Sequence, residues 1–246
     1  MSLFHRNKKV GLALGGGAAR GIAHMGVIQT LLENNIPIDY ISGVSSGALI
    51  GGLFAAGMHI EDMIAHLSNI TWRDFAGFHL SRKGMMSSKP IENLVNKHIG
   101  HITFSELITP FSPLATNILT GKGVVLNDPD LELGKAIRAS ASFPGVYAPI
   151  KIKGNYYCDG GAASNIPANV VRKMGADVVI AVDVIPNVEL PKLPRHMALI
   201  ADRGLDLLLH SISLLNYDEA DIVLKPITQY NHSFQVKKGL KMVELG

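Results

Sequence analysis

An α/β fold with a mostly parallel central sheet, covered by helices on both faces, is what this sequence predicts. Three observations predict it. From Lys9 to Ala56 the chain reads strand, helix, strand, helix, the order that builds parallel sheets. Its best strands, Lys9 to Leu14 and Asp177 to Val182, are short apolar runs without alternation, as expected of strands buried on both faces. The chain has 246 residues, 47% of them hydrophobic and 17% charged, enough to bury a large core in one domain.

In order, the Lys9 to Leu14 strand runs into a glycine-rich stretch. Ile22, Met25, Ile28 and Leu32 then recur at helical spacing, with Gln29 and Glu33 among the polar positions. Asn34, Asn35 and Pro37 end that helix, and Tyr40 to Gly43 forms a second short strand. Ser45 to Ala56 is an apolar helix of small residues, and Glu61 to Asn69 is a further helix. Thr71 to Ser88 has no clean period. It interleaves Trp72, Phe75, Phe78, Leu80, Met85 and Met86 with Arg73, Arg82 and Lys83. That mixture suits a lid or membrane-docking loop, and equally irregular packing over the core. Pro90 to His98 and Leu131 to Ala139 read as helices, Leu114 to Leu119 and Gly123 to Leu126 as strands about a Gly-Lys-Gly turn. Tyr147 to Ile152 and Tyr156 to Cys158 form a hairpin around Gly154-Asn155. The helix Ile166 to Met174, the strand Asp177 to Val182, the long helix Met197 to Leu215 and the strand Asp221 to Leu224 complete the core. Pro186 to Pro194 is the candidate mobile connection; there is no internal repeat.

Composition excludes several function classes. The net charge of +3 lacks the strong basic bias of nucleic-acid binders, and is compatible with an anionic membrane surface. Cys158 is the single cysteine, so no disulfide forms within the chain. Lys8 and Lys9 before an apolar run mimic a signal peptide, but Gly15 to Gly17 and Arg20 interrupt it. Ala48 to Met58, the longest apolar run near the motifs, falls short of the roughly 20 residues that span a bilayer. The expectation is a cytoplasmic protein that at most touches the inner membrane surface peripherally.

The sharpest motif is Gly43-Val44-Ser45-Ser46-Gly47, between a strand and an apolar helix. A nucleophile elbow needs that setting. The chain reverses so tightly that the serine is strained and exposed, and the residues two before and two after must be small. A second motif, Gly15 to Gly21, opens the first helix. Its bare N–H groups suit an anion: a cofactor pyrophosphate or an acyl oxyanion. The dinucleotide pattern fits poorly, because Arg20 replaces the third glycine and Asp39 precedes the second strand. No Gly-Lys-Ser/Thr follows, so a P-loop is excluded. Parallel pairing of the first two strands would bring this loop beside Ser45. The third motif, Asp159-Gly160-Gly161, reads as an ordinary turn or as a carboxylate set in a cleft. None of the 10 histidines stands in a recognisable catalytic context, and only one strand–helix unit precedes Ser45, unlike an α/β-hydrolase. His24 and Cys158 read as structural, and the Ser46 side chain as a bystander.

With these three motifs in this order, the chain resembles the patatin-like phospholipase family, in particular its small bacterial members. The likeness runs from about Lys9 to Asp183 and is weak around Thr71 to Ser88. Ala136-Ile137-Arg138-Ala139-Ser140, Phe143-Pro144-Gly145, Asn165-Ile166-Pro167 and Gly175-Ala176-Asp177 add to it. The resemblance implies a three-layer α/β/α domain over residues 9–224, leaving 225–246 as a C-terminal extension. It implies a Ser-Asp dyad without histidine: Ser45 as nucleophile and Asp159 as base. It further implies an oxyanion hole from Gly16, Gly17 and Ala18, with Arg20 bracing the loop and Gly43, Gly47, Gly160 and Gly161 giving backbone room. The implied activity is hydrolysis of phospholipid, lysophospholipid or another acyl ester through an acyl-enzyme, with no metal or cofactor. Acyl transfer on the same dyad, or a weakly active regulatory or acyl-binding role, are the alternatives. One departure stands out. The family commonly has glycine where this chain has Ala18, and alanine resists positive φ.

Overall fold

The computed structural model describes residues 8–67, 71, 74–81, 84–227 and 239–246. In chain order the strands are β1 (Val10–Leu14), β2 (Tyr40–Gly43), β3 (Gly77–Ser81), β4 (Gly84–Ser87), β5 (Phe111–Asn117), β6 (Gly123–Val125), β7 (Ile150–Ile152), β8 (Asn155–Asp159), β9 (Val178–Val182) and β10 (Ile222–Leu224). The helices are α1 (Ala23–Glu33), α2 (Ser46–Ala55), α3 (Ile60–Leu67), α4 (Lys89–Ile99), α5 (Leu133–Ser140), α6 (Ala168–Met174), α7 (Met197–Leu214) and α8 (Gly239–Leu245).

The main sheet runs β10-β9-β1-β2-β5-β8-β7, with β6 on β5. It is parallel from β10 to β5. It turns antiparallel where β8 joins β5 and β7 joins β8. β1 lies inside the sheet, with Val10 opposite Val178 on one side and Gly11 opposite Tyr40 on the other.

The period-2 geometry of β1 divides the layers. Leu12 and Leu14 enter the large core with α1, α2 and α3. Ala13 faces the opposite cluster with Ile166, Ala168 and Val171 at α6. Small residues on that face let α6 come close: a Cβ on Gly11 would lie 2.0 Å from a methyl of Val171. The expected three-layer arrangement is therefore present.

Most elements fall where periodicity places them, within a residue or two of the expected bounds. The first helix differs at its start, where a 3-10 turn, Ala18–Ile22, precedes α1. The segment without a period forms the β3–β4 hairpin, a two-stranded antiparallel sheet. Its expected residues Trp72, Arg73, Arg82 and Lys83 lie outside the described residues, as do Ser68 and Asn69 at the end of the third predicted helix. Residues 186–194 are irregular, and Arg203 donates to the Val188 carbonyl at 2.8 Å. Near the C-terminus, α8 packs on α1: Met242 is buried, and a Cβ on Gly26 would lie 2.0 Å from the Val243 carbonyl oxygen. No helix among the described residues is long and apolar enough to cross a membrane.

Candidate active site

Adjacent parallel strands deliver the first two motifs to one edge. The glycine loop follows β1 and Ser45 follows β2, and β1 and β2 pair in register from Gly11↔Tyr40 to Leu14↔Gly43. The antiparallel part of the sheet supplies the third. Gly43 stands opposite Pro113 and Ala115 opposite Asp159. Asp159 is thus level with the position two residues beyond Gly43, which is Ser45.

Ser45 caps α2 with φ 54 and ψ −117. That is backbone a side-chain-bearing residue adopts only when its surroundings impose it. The surroundings are tight. A Cβ on Gly43 would lie 2.4 Å from the Gly47 carbonyl oxygen, and one on Gly47 would lie 2.2 Å from that of Leu14. The Ser45 N–H donates to Ser140 Oγ at 3.1 Å, and Ser140 donates on to the Leu114 carbonyl at 2.6 Å.

The Ser45 hydroxyl lies on the Asp159 side of the same cavity, close enough to favour the ionised carboxylate. Asp159 is 5% exposed. Burial pushes its carboxyl up to about 6, against the opposing pull of the Gly161 N–H hydrogen bond and of Ser45. Its backbone is fixed on both sides: its N–H donates to the Ser142 carbonyl at 2.9 Å, and its own carbonyl accepts from Thr116 Oγ1 at 2.9 Å. The last turn of α5 and the residues just after it therefore hold both partners, one through Ser140 and one through Ser142. The Ala136 to Ser140 segment was visible in the sequence, but nothing local revealed what its serine hydroxyl binds.

The glycine loop closes the third side. A Cβ on Gly16 would lie 3.2 Å from Ser45 Cβ. Gly16, an expected oxyanion donor, gives its N–H to the Asn165 carbonyl at 3.3 Å. The N–H groups of Gly17 and Ala18 have no acceptor among the described residues. Ala18 has φ 51, so the conformation that alanine resists is the one this loop adopts, at a cost of about 1 kcal/mol. Arg20 is fully buried and donates in a fork to Asp206 at 2.6 and 2.8 Å, with Asp202 at 4.0 Å. The expected brace thus ties the loop to α7. Asn165 adds a second tie, through Nδ2 to the Gly16 carbonyl at 3.4 Å and Ser213 Oγ at 3.2 Å.

Three residues that the sequence reads as structural or bystanders lie close to this site. His24 is buried, and its Nε2 donates to the Gly15 carbonyl at 2.8 Å; burial lowers its pKa to about 4, so the ring is neutral. The Cys158 thiol is pushed up to about 11 by burial and by the neighbouring Asp159 charge. Ser46 lines the cavity, and its Oγ is buried with no hydrogen-bond partner among the described residues.

Ser45 and Asp159 open on a cavity of about 300 Å³ whose walls include Leu49, Ile50, Phe143, Ile185, Leu205 and Leu209. Phe75 and Met86, from the segment of uncertain role, also line it. Among the described residues, no histidine lines the cavity. No group of three His, Cys, Asp or Glu residues that could hold a metal ion occurs among the described residues. The chemistry offered is a hydroxyl and a buried carboxylate in one apolar pocket, beside backbone donors without an acceptor among the described residues.

Comparison with known proteins bears on this site. The family model for patatin-like phospholipase matches residues 12–172. An uncharacterised NTE family protein of Mycobacterium bovis is 36% identical over 179 residues, covering 72% of this chain and 49% of that protein. A protein named lysophospholipase nte1, from Emericella nidulans, is 32% identical over 193 residues, covering 74% of this chain and 12% of that protein. The chain thus spans about half the length, or less, of these curated relatives. Among solved structures, VipD of Legionella pneumophila superposes with a TM-score of 0.53 at 17% identity, covering 97% of this chain and 66% of that one.

Proposed function

Since the chain belongs to the patatin-like phospholipase family, we propose that it is a serine acyl hydrolase in which Ser45 is the nucleophile and Asp159 its base. One observation carries the reading. Ser45, strained at the elbow, shares one cavity with a buried carboxylate that desolvation holds near pKa 6, and no histidine among the described residues lines that cavity. A base poised near neutrality can take a proton and return it.

In the first step the Ser45 hydroxyl transfers its proton to Asp159 as Oγ attacks the ester carbonyl. Charge develops on the carbonyl oxygen, and the N–H groups of Gly17 and Ala18 receive it. Donors held in place by the loop would stabilise that charge without reorganisation at the moment of reaction. Gly16 contributes its bare Cα against Ser45 and its tie to Asn165. The protonated Asp159 then gives its proton to the departing alcohol oxygen, leaving an acyl-enzyme. Water, deprotonated by Asp159, releases the carboxylic acid and restores Ser45. The apolar walls suit an aliphatic acyl chain, and the relatives named lysophospholipase support a lipid ester as the substrate class.

The test is turnover of p-nitrophenyl acyl esters by wild type, Ser45→Ala and Asp159→Asn, with the site of a fluorophosphonate label located by mass spectrometry. Each substitution is expected to lower kcat/KM by about 10³-fold or more, with the label on Ser45 alone. Wild-type activity that survives Ser45→Ala, or a label on another residue, would sink the proposal.

A further inference from the structure

The helix α7 is inside out. Its buried residues are Asp202, Asp206 and Ser213, all polar. Five of its large apolar residues point the other way: Met197 is 86% exposed, Leu208 65%, and Ile200, Leu207 and Leu214 are exposed as well, whereas Leu199, Leu205, Leu209 and Ile212 are half-buried. The period explains the split. At about 100° per residue, Met197, Ile200, Leu207, Leu208 and Leu214 share one face, and Asp202, Asp206 and Ser213 share the opposite one. The inward face is polar because it meets Arg20 and Asn165 of the active-site loops. That requirement leaves Leu207, Leu208 and Leu214 outside.

We propose that this outward face of α7 docks the protein on an anionic phospholipid surface and sets the cavity mouth against it. The inference rests on the lipid-ester reading above. Three observations favour lipid as the occupant. Leu205 and Leu209, between the two faces, line the cavity that holds Ser45 and Asp159, so the exposed apolar surface continues into the acyl site. The face carries no charge, while Lys192, Arg195 and His196 stand exposed just before it, and no acidic residue occurs from Leu190 to Ala201. Leu193, 78% exposed, adds an apolar residue between Lys192 and Arg195. An uncharged apolar stripe edged by basic residues is the pattern of a helix lying in a lipid interface.

The measurement is co-sedimentation with phosphatidylglycerol/phosphatidylcholine vesicles and with pure phosphatidylcholine vesicles. It compares wild type with Met197→Glu/Leu208→Glu; neither side chain lines the cavity. Turnover of a soluble p-nitrophenyl butyrate is followed in parallel, and light scattering gives the oligomeric state. The proposal expects wild type to partition onto the anionic vesicles and the double variant to bind at least about tenfold more weakly. Butyrate turnover should be unchanged. Equal binding by the two proteins, or no wild-type binding to either vesicle, would overturn it. A wild-type dimer that the variant dissolves, without vesicle binding, would assign the face to a second copy instead. If neither protein turns over butyrate, the hydrolase reading fails by itself, and the sedimentation result still decides the docking surface.

Discussion

At the scale of single residues, Asp159 couples activity to stability. Its folded pKa of about 6 stands above the ordinary 3.8 because burial favours the neutral acid. As the proposed base it must be ionised, so kcat/KM on a soluble ester is expected to rise with pH through about 6 and level off above. A profile flat from pH 5 to 8 would exclude the assignment. The stability effect has the opposite sign. A carboxyl whose pKa is raised on folding stabilises below 3.8 and loses that contribution as pH rises toward 6. Above 6 the ionised group costs on the order of 3 kcal/mol, from a gap of about two pH units. Asp159→Asn, proposed above to lose activity, is therefore expected to melt higher than wild type at pH 7.5, with the gain fading near pH 4. Calorimetry at the two pH values checks it. The Asp-Gly-Gly motif was legible in the sequence, but its meaning was not. A turn and a buried base look alike until β5–β8 pairing sets the carboxylate beside Ser45. The positive φ at Ala18 likewise became visible only once the loop had a shape.

At the scale of elements, the elbow was readable because its determinants are local: strand, small residue, serine, small residue, helix. The brace was not. The apolar residues of α7 predict a helix and suggest that its leucines face a core. Tertiary demand overrides that pattern, since the Arg20 guanidinium is fully buried and needs carboxylates. Arg20→Ala would leave Asp202 and Asp206 buried without their cation. It is expected to cost about 3–5 kcal/mol in urea unfolding and to lower ester turnover by loosening the glycine loop. Arg20→Lys keeps the charge but loses the two-point fork, and should fall between. Unfolding midpoints that match wild type for Arg20→Ala would show that α7 does not anchor the loop.

For the whole molecule, the parallel half of the sheet was foreseeable from the β-α-β-α opening, and the β7–β8 hairpin from its turn. What joins them was not. β8 runs antiparallel to β5, a pairing between distant segments that no local signal encodes. The docking of α8 on α1 was equally hidden, because a short C-terminal segment takes its meaning from the surface it covers.

The interior position of β1 governs how the chain can be cut or made. β1 pairs with β2 across a short connection but with β9 only after residues 178–182 exist. A fragment ending at residue 172, where the family model stops, would retain Ser45 and Asp159. It would nevertheless expose the Val10–Leu14 ladder as a bare, wholly apolar edge, a template for pairing between molecules. Such a fragment is expected to pellet on expression, whereas one reaching past β10 stays in the supernatant. The same gap faces the growing polypeptide, whose first strand waits for a neighbour until most of the chain has left the ribosome.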